Sequence, residues 1–287
     1  MRASESRRRL ARERRAALGR SLNYVLLSAV CLLFLTPFFW MVASSLKVDA
    51  EITRVPLTPF GSRLAWENYV RMWNSWPFGR FIFNGLAVSI LGTALCLVTS
   101  SLSAYAFSKL HFRGRDKLFL LYLATLMIPQ QALVIPLFLL MNALHWVNTY
   151  QALILPWAFT AFGTFLLRQF FMSVPTDFSE AAIIEGASHP YVLGRIIVPL
   201  AKAGIATLTV FTFIMYWNNY QWPMIITNRP EMFTFPLGLG MFQGQYGTVW
   251  NLMMAGATLS VVPAIAIYIF SQKYLIGGLT LSGLGGR

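Results

Sequence analysis

Six stretches of this chain are each apolar over about 20 residues, the length of helix that crosses the hydrocarbon core of a bilayer. They cover residues 21–45, 81–107, 118–141, 152–171, 204–226 and 252–272. Lipid offers no partner to a backbone N–H or C=O, so a spanning segment must satisfy its own hydrogen bonds, and a helix does so. Composition agrees: 56% of residues are hydrophobic and 11% charged, against about 25% charged in soluble domains. These features predict an all-α integral membrane protein with six transmembrane helices in one domain over residues 21–287, after a basic arm at 1–20. An even number of crossings puts both termini on one side.

The net charge of +13 would suit nucleic acid, but the basic residues sit in the arm and between apolar runs rather than on one continuous face, so no nucleic-acid partner is expected. Most of them fall in the arm "MRASESRRRLARERRAALGR", in the loop "SKLHFRGRDK", at Arg168, Arg195 and Lys202, and in the tail. The opposite side holds only Lys47, Arg54, Arg63, Arg71, Arg80 and Arg229. The richer set is the cytoplasmic one, which makes both termini cytoplasmic. Trp66, Trp73, Trp76, Trp146 and Trp250 then form an outer interfacial belt, with membrane lipid as the surrounding partner. The arm precedes its apolar run without a small-residue cleavage site and reads as a retained flank. Its plainer role is holding topology; a site for anionic lipid or a partner is the other.

No Asp, Glu, Lys or Arg lies at the centre of any run, where a charge is costly and usually kept for function. A proton relay and a voltage sensor are therefore excluded, and energy for uphill movement must enter from outside the membrane. Sodium coupling through backbone oxygens of broken helices stays open. An intramembrane enzyme needs a base at depth, and His111, His145 and His189 all fall in loops. Cys31 and Cys96 lie inside apolar runs, where a thiol packs as a hydrophobe, so no metal site is expected.

Two runs carry further signals. Gly85, Ser89 and Thr93, continued by Ser100 and Ala104, stack on one face of the second run and allow close helix approach, within the chain or between subunits. Gly256 and Ser260 repeat the spacing in the sixth. Pro129 and Pro136 predict a kinked or broken third helix. Gln130 and Gln131 beside them either satisfy freed carbonyls or face an aqueous path.

Between the fourth and fifth runs lies a loop over residues 172–203, too long for a simple turn, containing "FSEAAIIEGASHPYVLGRIIVPLAKAG". Asp177 or Ser179 can cap a first helix, Gly186 can bend the chain, and Pro190 can open a second helix. Ala181 and Ala182 are small enough for another surface to come close, and Glu180 offers a charge to a basic partner. An amphipathic hairpin lying on the membrane fits the same spacing.

Glu180-Ala181-Ala182, three residues, Gly186, nine residues, Ile196, one residue, then Val198-Pro199 resembles the EAA loop of permease subunits in ABC importers, with Val198 replacing a leucine. From about residue 81 onward, stretches such as "FGTFLLRQFFMSVPTDFSEAA" and "FPLGLGMFQGQYGTVWNLMMAGATLSVVPAIAIYIFSQKYLIGGLT" are similar to the MalG-like subunits of carbohydrate importers. Glu185 stands where members often have Asp, which keeps the charge, and the Arg-rich arm is no family signature. The resemblance implies a type I ABC importer permease fold in the cytoplasmic membrane of a bacterium or archaeon. It implies coupling to a separate ATPase through Glu180, Ala181, Ala182, Glu185 and Gly186, with the tail at 274–287 also reaching the ATPase. Its implied partners are a second permease subunit, an ATP-binding subunit dimer and an extracytoplasmic solute-binding protein. No cofactor is then bound by this chain and it is not an enzyme; ATP and Mg belong to the partner. The chain has no G-x-x-x-x-G-K-[ST] phosphate loop, and Gly283, Gly285 and Gly286 fall in a tail that reads as mobile.

The segment "YWNNYQWP" mixes aromatic rings with amides, a set that suits sugars, whose C–H faces stack while hydroxyls exchange hydrogen bonds. Tyr216, Asn218, Asn219 and Gln221, with Gln130 and Gln131, are candidates for the solute path; an interfacial belt is the plainer reading. The expected function is ATP-driven import of an oligosaccharide or related polyol. A permease of the same type for glycerol phosphate and a sodium-coupled secondary carrier are the alternatives.

Overall fold

A computed structural model describes residues 2–244 and 247–284, with side chains at 19–244 and 247–274. In chain order the helices are α1 (Arg2–Ser45), α2 (Asp49–Ile52), α3 (Glu67–Ser75), α4 (Phe78–Lys109), α5 (Arg115–Ala124), α6 (Gln130–Ala143), α7 (Tyr150–Ile154) and α8 (Ala161–Met172). There follow α9 (Asp177–Ile184), α10 (His189–Val192), α11 (Val198–Leu200), α12 (Lys202–Trp217), α13 (Gln221–Ile226), α14 (Phe235–Gly240) and α15 (Trp250–Leu284). A small ladder of β1 (Gln243–Gly244) and β2 (Gly247–Thr248) precedes the last helix. Three helical stretches, Gly19–Ser45, Phe78–Lys109 and Trp250–Tyr274, are long and apolar enough to cross a membrane alone. Three bent helix pairs also qualify, which allows up to six crossings.

The arm and the first span form one helix, since α1 starts at Arg2 and runs 44 residues, or about 66 Å. The tail that reads as mobile is helical to Leu284 within α15; Gly285 and Gly286 lie outside the described residues.

Two compact units divide the chain: Met1–Met72 with Thr248–Thr258, and Trp73–Gly247 with Leu259–Arg287. In the first, the segment after α1 is folded around buried polar groups. The Asn68 amide donates to the carbonyls of Ser45 and Lys47, both at 2.8 Å, and its oxygen accepts from Asn251 at 3.1 Å. Lys47 is buried; its ammonium bonds the Thr58 carbonyl and sits over the Trp40 ring at 4.5 Å from the centroid. A buried cation needs such partners, because desolvation without them is expensive.

In the second unit α4 is the central element, packed against α8, α12, α14 and α7. The small residues of its sequence make this possible. A Cβ at Gly92 would collide with the Tyr216 ring, and one at Gly85 would come within 2.9 Å of Trp217. Gly85, Ser89, Thr93, Ser100 and Ala104 are all buried, so this face packs within the chain.

Two of the three bent pairs turn at a proline. Between α5 and α6 the direction turns by 95°. Pro129 cannot donate and holds Ile128 extended (φ −79°, ψ 116°), which ends the preceding helical turn. Pro136, expected to act similarly, lies inside an unbroken α6. The fourth run bends by 50° between α7 and α8. A straight helix would need an N–H at Pro156 to satisfy the Ala152 carbonyl, and proline has none. The Trp222 indole N–H reaches that carbonyl at 2.8 Å. Ile154 and Ala158, also at the bend, accept the hydroxyls of Tyr216 and Thr99, both at 2.7 Å. The fifth run is interrupted as well, at residues 218–220 between α12 and α13. On its other side α12 meets the helical stretch His189–Leu200 at 85°. We take α12 with α13, rather than His189–Leu200, as the crossing, because the latter exposes the charge of Arg195.

Candidate coupling loop and solute path

The loop after α8 folds as a helical hairpin. Neither Asp177 nor Ser179 caps α9: the N-cap is Thr176, whose carbonyl accepts from Ser179 N–H at 2.8 Å and Glu180 N–H at 3.0 Å. Asp177 sits in the first turn, where a negative charge meets the positive end of the helix dipole. Ser179 is buried. The helix ends in a Schellman motif, with Gly186 N–H bonding Ile183 and Ala187 N–H bonding Ala182, each at 2.9 Å. Gly186 takes φ +90°, the left-handed conformation glycine adopts without strain. Pro190 opens α10 in its first turn, as its missing N–H allows. A π turn over Leu193–Ile197 then joins α10 to α11.

The hairpin has two faces. Glu180, Ala181, Glu185 and Gly186 are exposed, together with Phe178 at 53% and Ile184 at 85%. Ala182 turns the other way, with Ala187, onto a core of Ala104, Tyr105, Leu167, Phe171, Val192 and Ile197. The structure therefore separates the alanine pair: Ala181 offers the open contact and Ala182 seats the helix. Two polar links join the hairpin to the end of α4. Tyr105 Oη lies 2.9 Å from His189 Nδ1, and Lys109 Nζ donates to the Val174 carbonyl at 2.5 Å. Arg168 donates to the Phe107 carbonyl at 3.1 Å and lies over the Phe119 ring. Sequence reasoning missed Tyr105, Lys109 and His189 as a group, because their partners are 65 or more residues away and no local pattern marks them.

The solute-path candidates disperse. Gln130 and Gln131 are exposed in the first turn of α6, directly after the 95° break. Tyr216 is buried at 3% exposure, its ring against Gly92 and its hydroxyl on Ile154. Asn218, the C-cap of α12, is exposed. Asn219 is half-buried and its side-chain oxygen accepts from Trp222 N–H at 3.2 Å, capping the start of α13. Gln221 is exposed. The neighbouring rings serve packing: Trp217 is buried, donates to Ser260 at 2.8 Å and stacks on Phe213 and Phe235.

Comparison with known proteins gives a consistent answer. The family described as "Binding-protein-dependent transport system inner membrane component" matches residues 96–280. The chain is 32% identical over 260 residues to the arabinooligosaccharides transport system permease protein AraQ of Bacillus subtilis, covering 89% of this chain and 92% of the relative. It is 34% identical to the trehalose/maltose transport system permease protein MalG of Thermococcus litoralis, covering 92% and 95%. Among solved structures, a chain of a bacterial ABC transporter that imports the acidic polysaccharide alginate superposes with a TM-score of 0.77 at 26% identity, over 88% of this chain and 95% of that one.

Proposed function

We infer the function from what is now established: this chain belongs to the inner membrane components of binding-protein-dependent transport systems. It is the permease type of subunit of an ABC importer, and its place is the inner membrane. Our proposal for its part in the cycle is that the hairpin from α9 to α11 is the coupling element. The observation that carries it is the pair of faces on α9: Glu180, Ala181, Ile184 and Glu185 stand open while Ala182 and Ala187 anchor the other side. An open apolar patch flanked by two carboxylates suits a basic, partly apolar cleft on an ATP-binding subunit. Gly186 holds the bend rigidly, so closure of an ATP-binding dimer becomes tilting of the attached helices rather than flexing of the loop. ATP and Mg act in that partner; this chain transmits motion and binds neither.

The remaining partners in this reading are a second permease subunit and an extracytoplasmic solute-binding protein, with the hairpin on the cytoplasmic side. The solute is an oligosaccharide or related polyol, supported by the relatives for arabinooligosaccharides and for trehalose and maltose and by the alginate importer. Exposed Gln130, Gln131, Asn218 and Gln221 supply amides for hydroxyl groups along its path.

Two measurements test this. In the assembled importer, Glu180→Lys and Gly186→Val each abolish ATP-driven uptake while the subunit still inserts; uptake surviving in both refutes the coupling role. Binding of labelled maltotriose, arabinotriose and glycerol 3-phosphate to the cognate binding protein decides the solute, and retention of glycerol 3-phosphate alone overturns the sugar assignment.

A further inference from the structure

The hairpin is continuous in sequence with α8 and, through the 85° turn at Ala201, with α12. Its covalent path to α4, which ends at Lys109, runs back through α8, α7, α6 and α5. Yet α4 is the helix against which both α8 and α12 pack. Whatever moves the hairpin reaches the centre of this unit most directly across non-covalent contacts.

Beside the contacts that α8 makes with α4, among them Arg168 to the Phe107 carbonyl, those of the hairpin itself are of two kinds. One is the apolar cluster around Leu167, Phe171, Val192 and Ile197, which is non-directional and tolerates sliding. The other is the pair of polar links from Tyr105 and Lys109. These residues are four apart on α4 and therefore share a face, one helical turn from each other. They grip different limbs of the hairpin: Lys109 holds Val174 before α9, and Tyr105 meets His189 after the Gly186 bend. A groove of about 460 Å³, lined by Tyr105, Lys109, Ser179, Glu180 and His189, lies between α4 and α9. Packing is open there, so the polar links bridge what apolar contact leaves unfilled.

The Tyr105 end of the link is fixed. The tyrosine is 5% exposed with its ring inside the cluster, which leaves its hydroxyl one position. His189 is exposed at the start of α10, its backbone set by the Gly186 bend and Pro190, and its imidazole is turned onto α4 by the contact with Tyr105. We propose that Tyr105 and His189 form a strut that makes α4 move with the coupling hairpin, and that both are positioning residues for transport. The proposal rests on the coupling role inferred above. A hydrogen bond fails when its geometry drifts by a few tenths of an ångström, so this contact resists the sliding that the apolar cluster permits.

The test uses the assembled importer in lipid, with nitroxide labels at His111→Cys and Tyr191→Cys and with Cys31 and Cys96 replaced by alanine. The label separation is measured nucleotide-free and with Mg-ATP trapped by vanadate, alongside stimulation of ATP hydrolysis by the solute-loaded binding protein. Tyr105→Phe keeps the packed ring and removes only the hydroxyl; His189→Leu removes the ring nitrogens. Each makes the label separation differ between the two nucleotide states and lowers stimulation by about two- to tenfold, the weight of one hydrogen bond. His189→Asn, which places an amide where Nδ1 stands, restores a constant separation and the stimulation. Wild-type behaviour of both Tyr105→Phe and His189→Leu while Gly186→Val abolishes stimulation removes the strut and leaves the coupling loop intact. A His189→Asn variant as impaired as His189→Leu also removes it. Stimulation that survives both Glu180→Lys and Gly186→Val refutes the coupling role and the strut together.

Discussion

At the scale of single residues, side chains that look alike in the sequence separate by what they face. Tyr216 and Asn218 stand two apart in one polar, aromatic segment, but Tyr216 fills the notch at Gly92 while Asn218 is exposed. No property of that segment distinguishes them, because the notch is more than 100 residues away. Trp222 illustrates the energetic consequence. Trp222→Phe strands the Ala152 carbonyl and lowers stability by about 1–3 kcal/mol, the cost of a buried unsatisfied acceptor, read as earlier thermal unfolding in detergent. Unfolding at the wild-type temperature would show that the carbonyl has another partner. Gly186 gives a graded series: Asn tolerates the left-handed conformation and Val does not, so Gly186→Asn keeps most of the coupling that Gly186→Val loses. Equal activity of the two variants in stimulated ATP hydrolysis contradicts this. Outside the spans, hydrogen bonds from Ser62, its side chain first and then its backbone N–H, hold the Glu51 carboxyl below its usual range. A lowered carboxyl stabilises the loop fully above the ordinary value and loses that contribution as pH falls through the lowered one. The Ser62 amide shift followed by NMR therefore titrates with a midpoint below 4.5, and a midpoint at or above 4.5 overturns the assignment.

At the scale of elements, prolines show how far local rules reach. Pro129, Pro136 and Pro156 each remove a donor, yet α6 runs through Pro136 while the chain breaks near the other two. At Pro156 the reason is visible: Trp222, Tyr216 and Thr99 bring three donors to the freed carbonyls, so bending leaves none of those three unsatisfied. The bend and its donors are one device. Pro156→Ala returns the N–H that Ala152 lacks, so Trp222→Phe costs about 1 kcal/mol less in that background than alone. Strictly additive losses in the double-mutant cycle would mean the two residues act separately. The hairpin after α8 was legible as an element for a different reason: its bend at Gly186, the start of its second helix at Pro190 and its charge pattern are all local. Its N-cap was not, because Thr176 caps through backbone bonds alone.

At the scale of the whole molecule, six apolar runs and their flanking charges predict six crossings with the hairpin on the cytoplasmic side. Cysteine at His111 is then labelled from the cytoplasmic side and cysteine at Arg229 from the outside; labelling of both from one side breaks the topology. The sequence by itself determined the membrane class, the absence of charge at the centre of its apolar runs and the bent form of the loop after α8. Those properties follow from hydropathy and from turn chemistry within a few residues. Only the tertiary structure decided where three of the spans bend and which donors close the bends. It also decided that Ala182 faces inward while Ala181 faces out, and that Tyr105 meets His189. A carbonyl freed inside a membrane must find its partner wherever the packed helices bring one, and neighbours in space are set by the packing of several segments rather than by any one of them.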